Sequence, residues 1–239
     1  MELPLLNHLK ELRKRVIISS LSVVILMIVA YIFFNFFYEL FSKPFENIDS
    51  KSSFYVTSVV EAVIIKLKFS LIFGIILSIP VFIFHTLRFC LPGLTKRESK
   101  LLIYSIISSF ILAIGSFFYS YFVVLPTSIN VLMSSHFIPD NVGILLTYSH
   151  NLLFAFNIIA YLIIVFQCPV LIMLLLYFNV FSRQSLLTYS RYFVIFIFII
   201  SAILTPPDVI SQLLLSLPLI LLFFIVILLA KIFRIGNNV

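Results

Sequence analysis

Charge is scarce in this chain. Asp, Glu, Lys and Arg make up only 10% of its 239 residues and hydrophobic residues 62%, too few polar groups to cover a soluble globule of that length. A water-soluble fold is excluded, and lipid is the solvent. Cysteine is nearly absent, and Cys90 and Cys168 fall in or beside apolar runs, which leaves no disulfide framework. There are only five glycines, and no Gly/Ser linker or internal repeat, so residues 1–239 read as a single membrane domain. Tryptophan is missing altogether, and with the Phe and Ile bias this fits an AT-rich genome. The chain also lacks a His-Glu-x-x-His zinc pattern and a Gly-x-Ser-x-Gly elbow, and its histidines (His8, His85, His136, His150) are scattered. No catalytic residue, metal site or cofactor is expected, and the chain does not read as an enzyme.

What is present is a series of apolar runs near the ~20 residues that a helix needs to cross a bilayer. The pattern predicts an all-α integral membrane protein with six spans at 16–38, 69–87, 101–125, 151–177, 190–204 and 212–230. The first run is too long for a cleavable signal and lacks a small-x-small cleavage pattern, so it reads as a permanent span. The fifth is the shortest. A formal charge of +7 alone would suggest a nucleic-acid partner, but its distribution points to topology instead. Lys10, Arg13, Lys14, Arg15, Arg88, Lys96, Arg97, Lys100, Arg183, Arg191, Lys231 and Arg234 share one side. Only Lys43, Lys51, Lys66 and Lys68 face the other. The positive-inside bias then puts both termini in the cytoplasm. In the first external loop, 57–68 has an apolar face at helical spacing and predicts a short helix lying along the outer surface.

Three stretches carry more than hydropathy. His8-Leu9-Lys10-Glu11-Leu12-Arg13-Lys14-Arg15 leads into the first span, and on a helix Glu11 reaches Arg15 at i+4. In Pro92-Gly93-Leu94-Thr95-Lys96-Arg97-Glu98, the first pair makes a turn, Thr95 can cap the next helix and Glu98 takes its third position. In Leu204-Thr205-Pro206-Pro207-Asp208-Val209-Ile210-Ser211-Gln212, two prolines break the helix and Asp208 caps the next. Gln212 then points a costly amide into the membrane edge.

Together these stretches resemble the TatC family of twin-arginine protein export. The HLKELRKR start, Lys43-Pro44, PGLTKRE, 115–121, 122–126, Pro169-Val170 and LTPPDVISQ all match in order, over nearly the whole chain. The resemblance implies a concave six-span bundle and a non-enzymatic receptor for the signal peptides of folded cargo, with export driven by the proton-motive force. It implies that Glu11, Arg13, Phe89 and Glu98 bind the peptide, and that Thr205, Gln212 and Gln167 dock TatA- or TatB-type single-span partners. Further copies of the chain and the lipid bilayer complete the expected partners, in a bacterial inner membrane or its organellar equivalent. The chemistry suits the role, because a guanidinium offers a carboxylate a bidentate hydrogen bond that an ammonium cannot.

Capping remains a sufficient account of Glu98 on its own. Glu61 fits the family's usual external glutamate and equally an exposed, solvated one. The proline common two residues before it is Val59 here. Gln167 replaces the family's usual glutamate, and Phe223-Phe224 stands where a late acidic residue is common. A secondary transporter of a small solute is the rival reading, but few ionisable groups lie at membrane depth and no pair of broken helices marks two halves.

Overall fold

The computed structural model describes residues 2–46, 54–90, 96–134, 145–205, 208–233 and 235–236. Helix dominates these residues. In order they form α1 (Glu2–Ile32), α2 (Phe34–Glu46), α3 (Val59–Cys90), α4 (Lys96–Tyr119), a π-helical turn (Ser120–Val124) and α5 (Leu125–Leu132). Then follow α6 (Tyr148–Val165), α7 (Cys168–Tyr177), α8 (Arg183–Thr188), α9 (Ser190–Leu204) and α10 (Val209–Ile232). Among the described residues, five helical stretches are long and apolar enough to cross a membrane: Lys10–Ile32, Val59–Thr86, Ile103–Leu132, Tyr148–Tyr177 and Val209–Ile232. The apolar helix α9 has only 15 residues, about 22 Å at 1.5 Å per residue.

The chain divides into two compact units, the first comprising Met1–Ile111 and Leu145–Phe156. Its core is a phenylalanine cluster on one stripe of α2. Phe34, Phe41 and Phe45 are buried; Phe34 and Phe41 meet Phe69 of α3, Phe41 also meets Phe156 of α6, and Phe45 meets Phe54. Phe41 and Phe156 stand edge-to-face at 6.0 Å. The amphipathic stripe explains why α2 is a separate helix. The expected first span, 16–38, instead ends at Ile32, the chain turns at Phe33, and Pro44 lies inside the last turn of α2. Here the sequence shows only a continuous apolar run, because an aromatic face buried against protein and one buried in lipid have the same composition.

α1 packs on α3 through a close backbone approach at Gly74. A Cβ there would lie 2.8 Å from both the Val23 carbonyl oxygen and the Met27 nitrogen, so only glycine fits. Lys66 of α3 places its ammonium 4.2 Å from the Tyr31 ring centroid and ties the same pair together at the other end.

The separate surface helix expected over 57–68 is not formed. Those residues from Val59 onward are the first turns of α3, a 32-residue helix about 48 Å long. No proline or glycine occurs between Val59 and Phe73, so nothing stops it. The uncharged run 69–87, between Lys68 and Arg88, fills a ~30 Å hydrocarbon layer, and the residues before it project beyond it.

The second unit comprises Leu112–Ile144 and Asn157–Val239. The expected spans 190–204 and 212–230 lie in the continuous helices α9 and α10, whereas 151–177 and 101–125 are helical but interrupted. In 151–177 the helix breaks at Phe166 and Gln167 before Pro169, which has no amide to continue the ladder, so Val170 N–H turns back to the Gln167 carbonyl at 3.1 Å. The third span extends to Leu132 through the π-helical turn, just before Pro126 removes another amide. α7, α8 and α10 share a core of Leu176, Leu186, Phe223, Val226, Ile227 and Ala230. Gly236, at φ +71°, closes it, its carbonyl accepting from Arg183 N–H at 3.1 Å.

Candidate functional site

The carboxylate singled out near the start of α1 is paired with a guanidinium. Glu11 Oε1 accepts from Arg15 Nε at 3.1 Å and also from Arg15 Nη2, one helical turn on, as the i+4 spacing predicts. Glu11 is 41% exposed and Arg15 only 14%, so the carboxylate faces outward from a largely covered guanidinium. Arg13 is exposed on the same helix. On α3, His85 lies within the electrostatic field of both Arg15 and Arg88, and Arg88 stacks its guanidinium 5.9 Å from the Phe84 centroid. Arg15, the partner of Glu11, thus shares an electrostatic neighbourhood with His85 of α3.

Glu98 stands at the third position of α4, where an N-terminal capping acid belongs, in the same unit as Glu11. Of Phe89 and Glu98 only the backbone is described. Pro92, Gly93, Pro206 and Pro207 lie outside the described residues.

At the other end of α3, Glu61 is built in. It occupies the third helical position after Ser58, and its Oε2 accepts from Thr57 N–H at 2.7 Å, Ser58 N–H at 3.2 Å and the Thr57 hydroxyl. The Ser149 hydroxyl, the Thr57 hydroxyl and these amides, outweighing partial desolvation, lower its pKa from 4.5 to about 2. Beside it Tyr55 N–H donates to the Leu146 carbonyl and Tyr148 N–H to the Tyr55 carbonyl, both at 2.9 Å. Glu61 thus ties the segment before α3 to the start of α6, a clasp between the two. The signal was in the sequence as Ser58-Val59-Val60-Glu61, a capping box whose use requires knowing that the helix starts at Val59.

The third group lies in the second unit, where α9 meets α10. Asp208 caps α10 as expected, its Oδ2 accepting from Ser211 N–H at 2.6 Å. Thr205 is buried and donates to the Ser201 carbonyl at 2.8 Å. Gln212 donates its amide to the Phe198 carbonyl at 3.2 Å, which staples the two helices and satisfies the amide that the sequence placed at the membrane edge. Ser128 and Ser211 share a buried hydrogen bond of 2.9 Å, and Tyr119 donates to the Leu214 carbonyl at 2.7 Å. Sequence reasoning missed these last two, because isolated Ser and Tyr in apolar runs carry no spacing signal. Gln167 is 3% exposed and donates to the Ile163 carbonyl at 3.3 Å, at the break between α6 and α7. Next to that break, an apolar cavity of about 180 Å³ is lined by Val165, Pro169, Phe193, Phe196, Leu219 and Phe223.

The family model described as Sec-independent protein translocase protein (TatC) matches residues 7–218. The chain belongs to the TatC family. The TatC of Carboxydothermus hydrogenoformans is 34% identical over 228 residues, covering 95% of this chain and 92% of that protein. The TatC of Escherichia coli K12 is 30% identical over 221 residues, covering 92% and 85%. A crystal structure of the twin-arginine translocase receptor TatC matches with a TM-score of 0.80 at 28% identity, over 97% of this chain and 100% of that one. A second TatC crystal structure gives 0.77 at 29%, over 94% and 98%. The protein is a Sec-independent protein translocase component and a multi-pass membrane protein, like its TatC relatives of the bacterial inner membrane. Gln167 holds a buried neutral amide, and Phe223 lies in the core of the second unit.

Proposed function

We propose that this TatC is the receptor subunit that binds twin-arginine signal peptides of folded cargo and recruits TatA- or TatB-type single-span partners for export driven by the proton-motive force. In this reading both termini are cytoplasmic, α9 is the fifth of six spans, and Glu11, Arg13, Phe89 and Glu98 form the peptide site. The observation that carries it is the Glu11–Arg15 pair: a partly open carboxylate at the basic edge of a span, already engaged by a guanidinium fork. Two such carboxylates on one face would receive two arginines, each through charge-assisted bidentate hydrogen bonds. The surrounding Lys14, Arg15 and Arg88 offset part of the attraction and keep the complex transient.

Partner docking falls to the α9–α10 hairpin and the α6–α7 break, where Thr205, Gln212 and Gln167 are the polar points. In lipid no hydrophobic drive favours helix association, so small and polar side chains provide adhesion. The short α9 would also thin the bilayer locally. A photocrosslinker at position 98 tests the peptide site. It should label a twin-arginine signal peptide and lose most of that labelling when Arg-Arg becomes Lys-Lys; equal labelling of both peptides would reject the assignment.

A further inference from the structure

We infer that Arg15 is an internal competitor for the signal peptide's arginine, an intramolecular guanidinium that must leave Glu11 before the ligand's fork can dock there. The inference rests on the proposed role of Glu11 in peptide recognition and adds how that site is regulated. Both Arg15 donors, Nε and Nη2, converge on Glu11 Oε1, the chemistry that an incoming arginine would use. A bidentate ligand needs the whole carboxylate, so it cannot dock while Arg15 keeps its grip.

Arg15 is also held in place for this task. It is one helical turn from Glu11 and only 14% exposed, so little side-chain entropy opposes the pair compared with two freely solvated side chains. On α3, His85 lies in the electrostatic fields of both Arg15 and Arg88. Binding therefore exchanges one guanidinium for another. The empty site keeps its carboxylate neutralised at the membrane edge, and Arg15 rebinding helps expel the peptide. The apparent affinity is reduced by the fraction of receptor in which Glu11 is engaged.

The test is a double-mutant cycle on the purified full-length protein, read as the affinity of a synthetic twin-arginine signal peptide. Arg15→Gln should tighten binding about 1.4- to five-fold, the range set by the ~0.2–1 kcal/mol of such pairs. In a Glu11→Gln background the same substitution should give no tightening, since nothing is left to compete for. Unchanged or weaker binding in Arg15→Gln overturns the inference. Equal tightening in both backgrounds also overturns it, because long-range charge alone would then be the cause. Glu11→Gln by itself separates the two levels: if it leaves affinity unchanged, the recognition role of Glu11 fails. If it weakens binding while Arg15→Gln fails to tighten it, only the competition fails. In the wild-type protein, the Arg15 Nε resonance, assigned by its loss in Arg15→Lys, should shift on peptide titration; a resonance unmoved at saturation contradicts displacement.

Discussion

Glu61 and Glu11 are both carboxylates at the ends of long helices, yet their surroundings set them to different tasks. Glu61 accepts hydrogen bonds from fixed neighbours and is locked ionised. Its folded pKa of about 2 lies below the ordinary 4.5, so its stabilisation of the clasp is complete above 4.5 and fades as pH falls towards 2. Hydrogen exchange at the Tyr55 and Tyr148 amides should be equally protected at neutral and mildly acidic pH, then rise over that window beyond the intrinsic rate. Glu61→Gln should show weakened protection already at neutral pH and no acid dependence. Glu11, by contrast, has an exchangeable partner. Glu98→Gln should weaken twin-arginine peptide binding by about ten-fold or more, the loss of one charge-assisted hydrogen bond of ~1.5–3 kcal/mol. Spacing alone made the Glu11–Arg15 pair legible. It did not reveal the clasp, since the Tyr55, Leu146 and Ser149 partners come from a distant segment.

At the scale of elements, hydropathy located the apolar helices well, and α9 runs over 190–204 as read. It missed the interruptions: the turn at Phe33, the break at Gln167 and the π-helical turn before Pro126. Each depends on which face is covered by protein, or on how a proline's lost amide is absorbed, and neither alters average hydrophobicity. α1 and α3 approach closely at the Gly74 seam. Gly74→Ala would push a methyl to 2.8 Å from the α1 backbone and should cost about 1–3 kcal/mol, seen as a lowered Tm, with Gly74→Leu worse. In the α9–α10 hairpin, Asp208→Ala should cost about 1 kcal/mol through the lost cap, again read by thermal unfolding. Gln212→Leu removes the Phe198 staple and should reduce co-purification of a single-span Tat partner; undiminished co-purification would move the docking site elsewhere.

For the whole molecule, low charge and repeated apolar runs were enough to assign a helical membrane protein. Ordered motifs were enough to point to TatC, which the family match and the crystal structures bear out. Which side of the bilayer each carboxylate faces rests on the asymmetry of cations along the chain and not on any folded contact. The receptor account requires Glu11 and Glu98 on one side and Glu61 on the other. Single cysteines at positions 11, 61 and 98, probed in right-side-out and inverted vesicles with a membrane-impermeant thiol reagent, measure this directly. The account predicts that 11 and 98 react only from the cytoplasmic side and 61 only from the outer side. Labelling of 11 and 98 from opposite sides would contradict a shared site for two arginines.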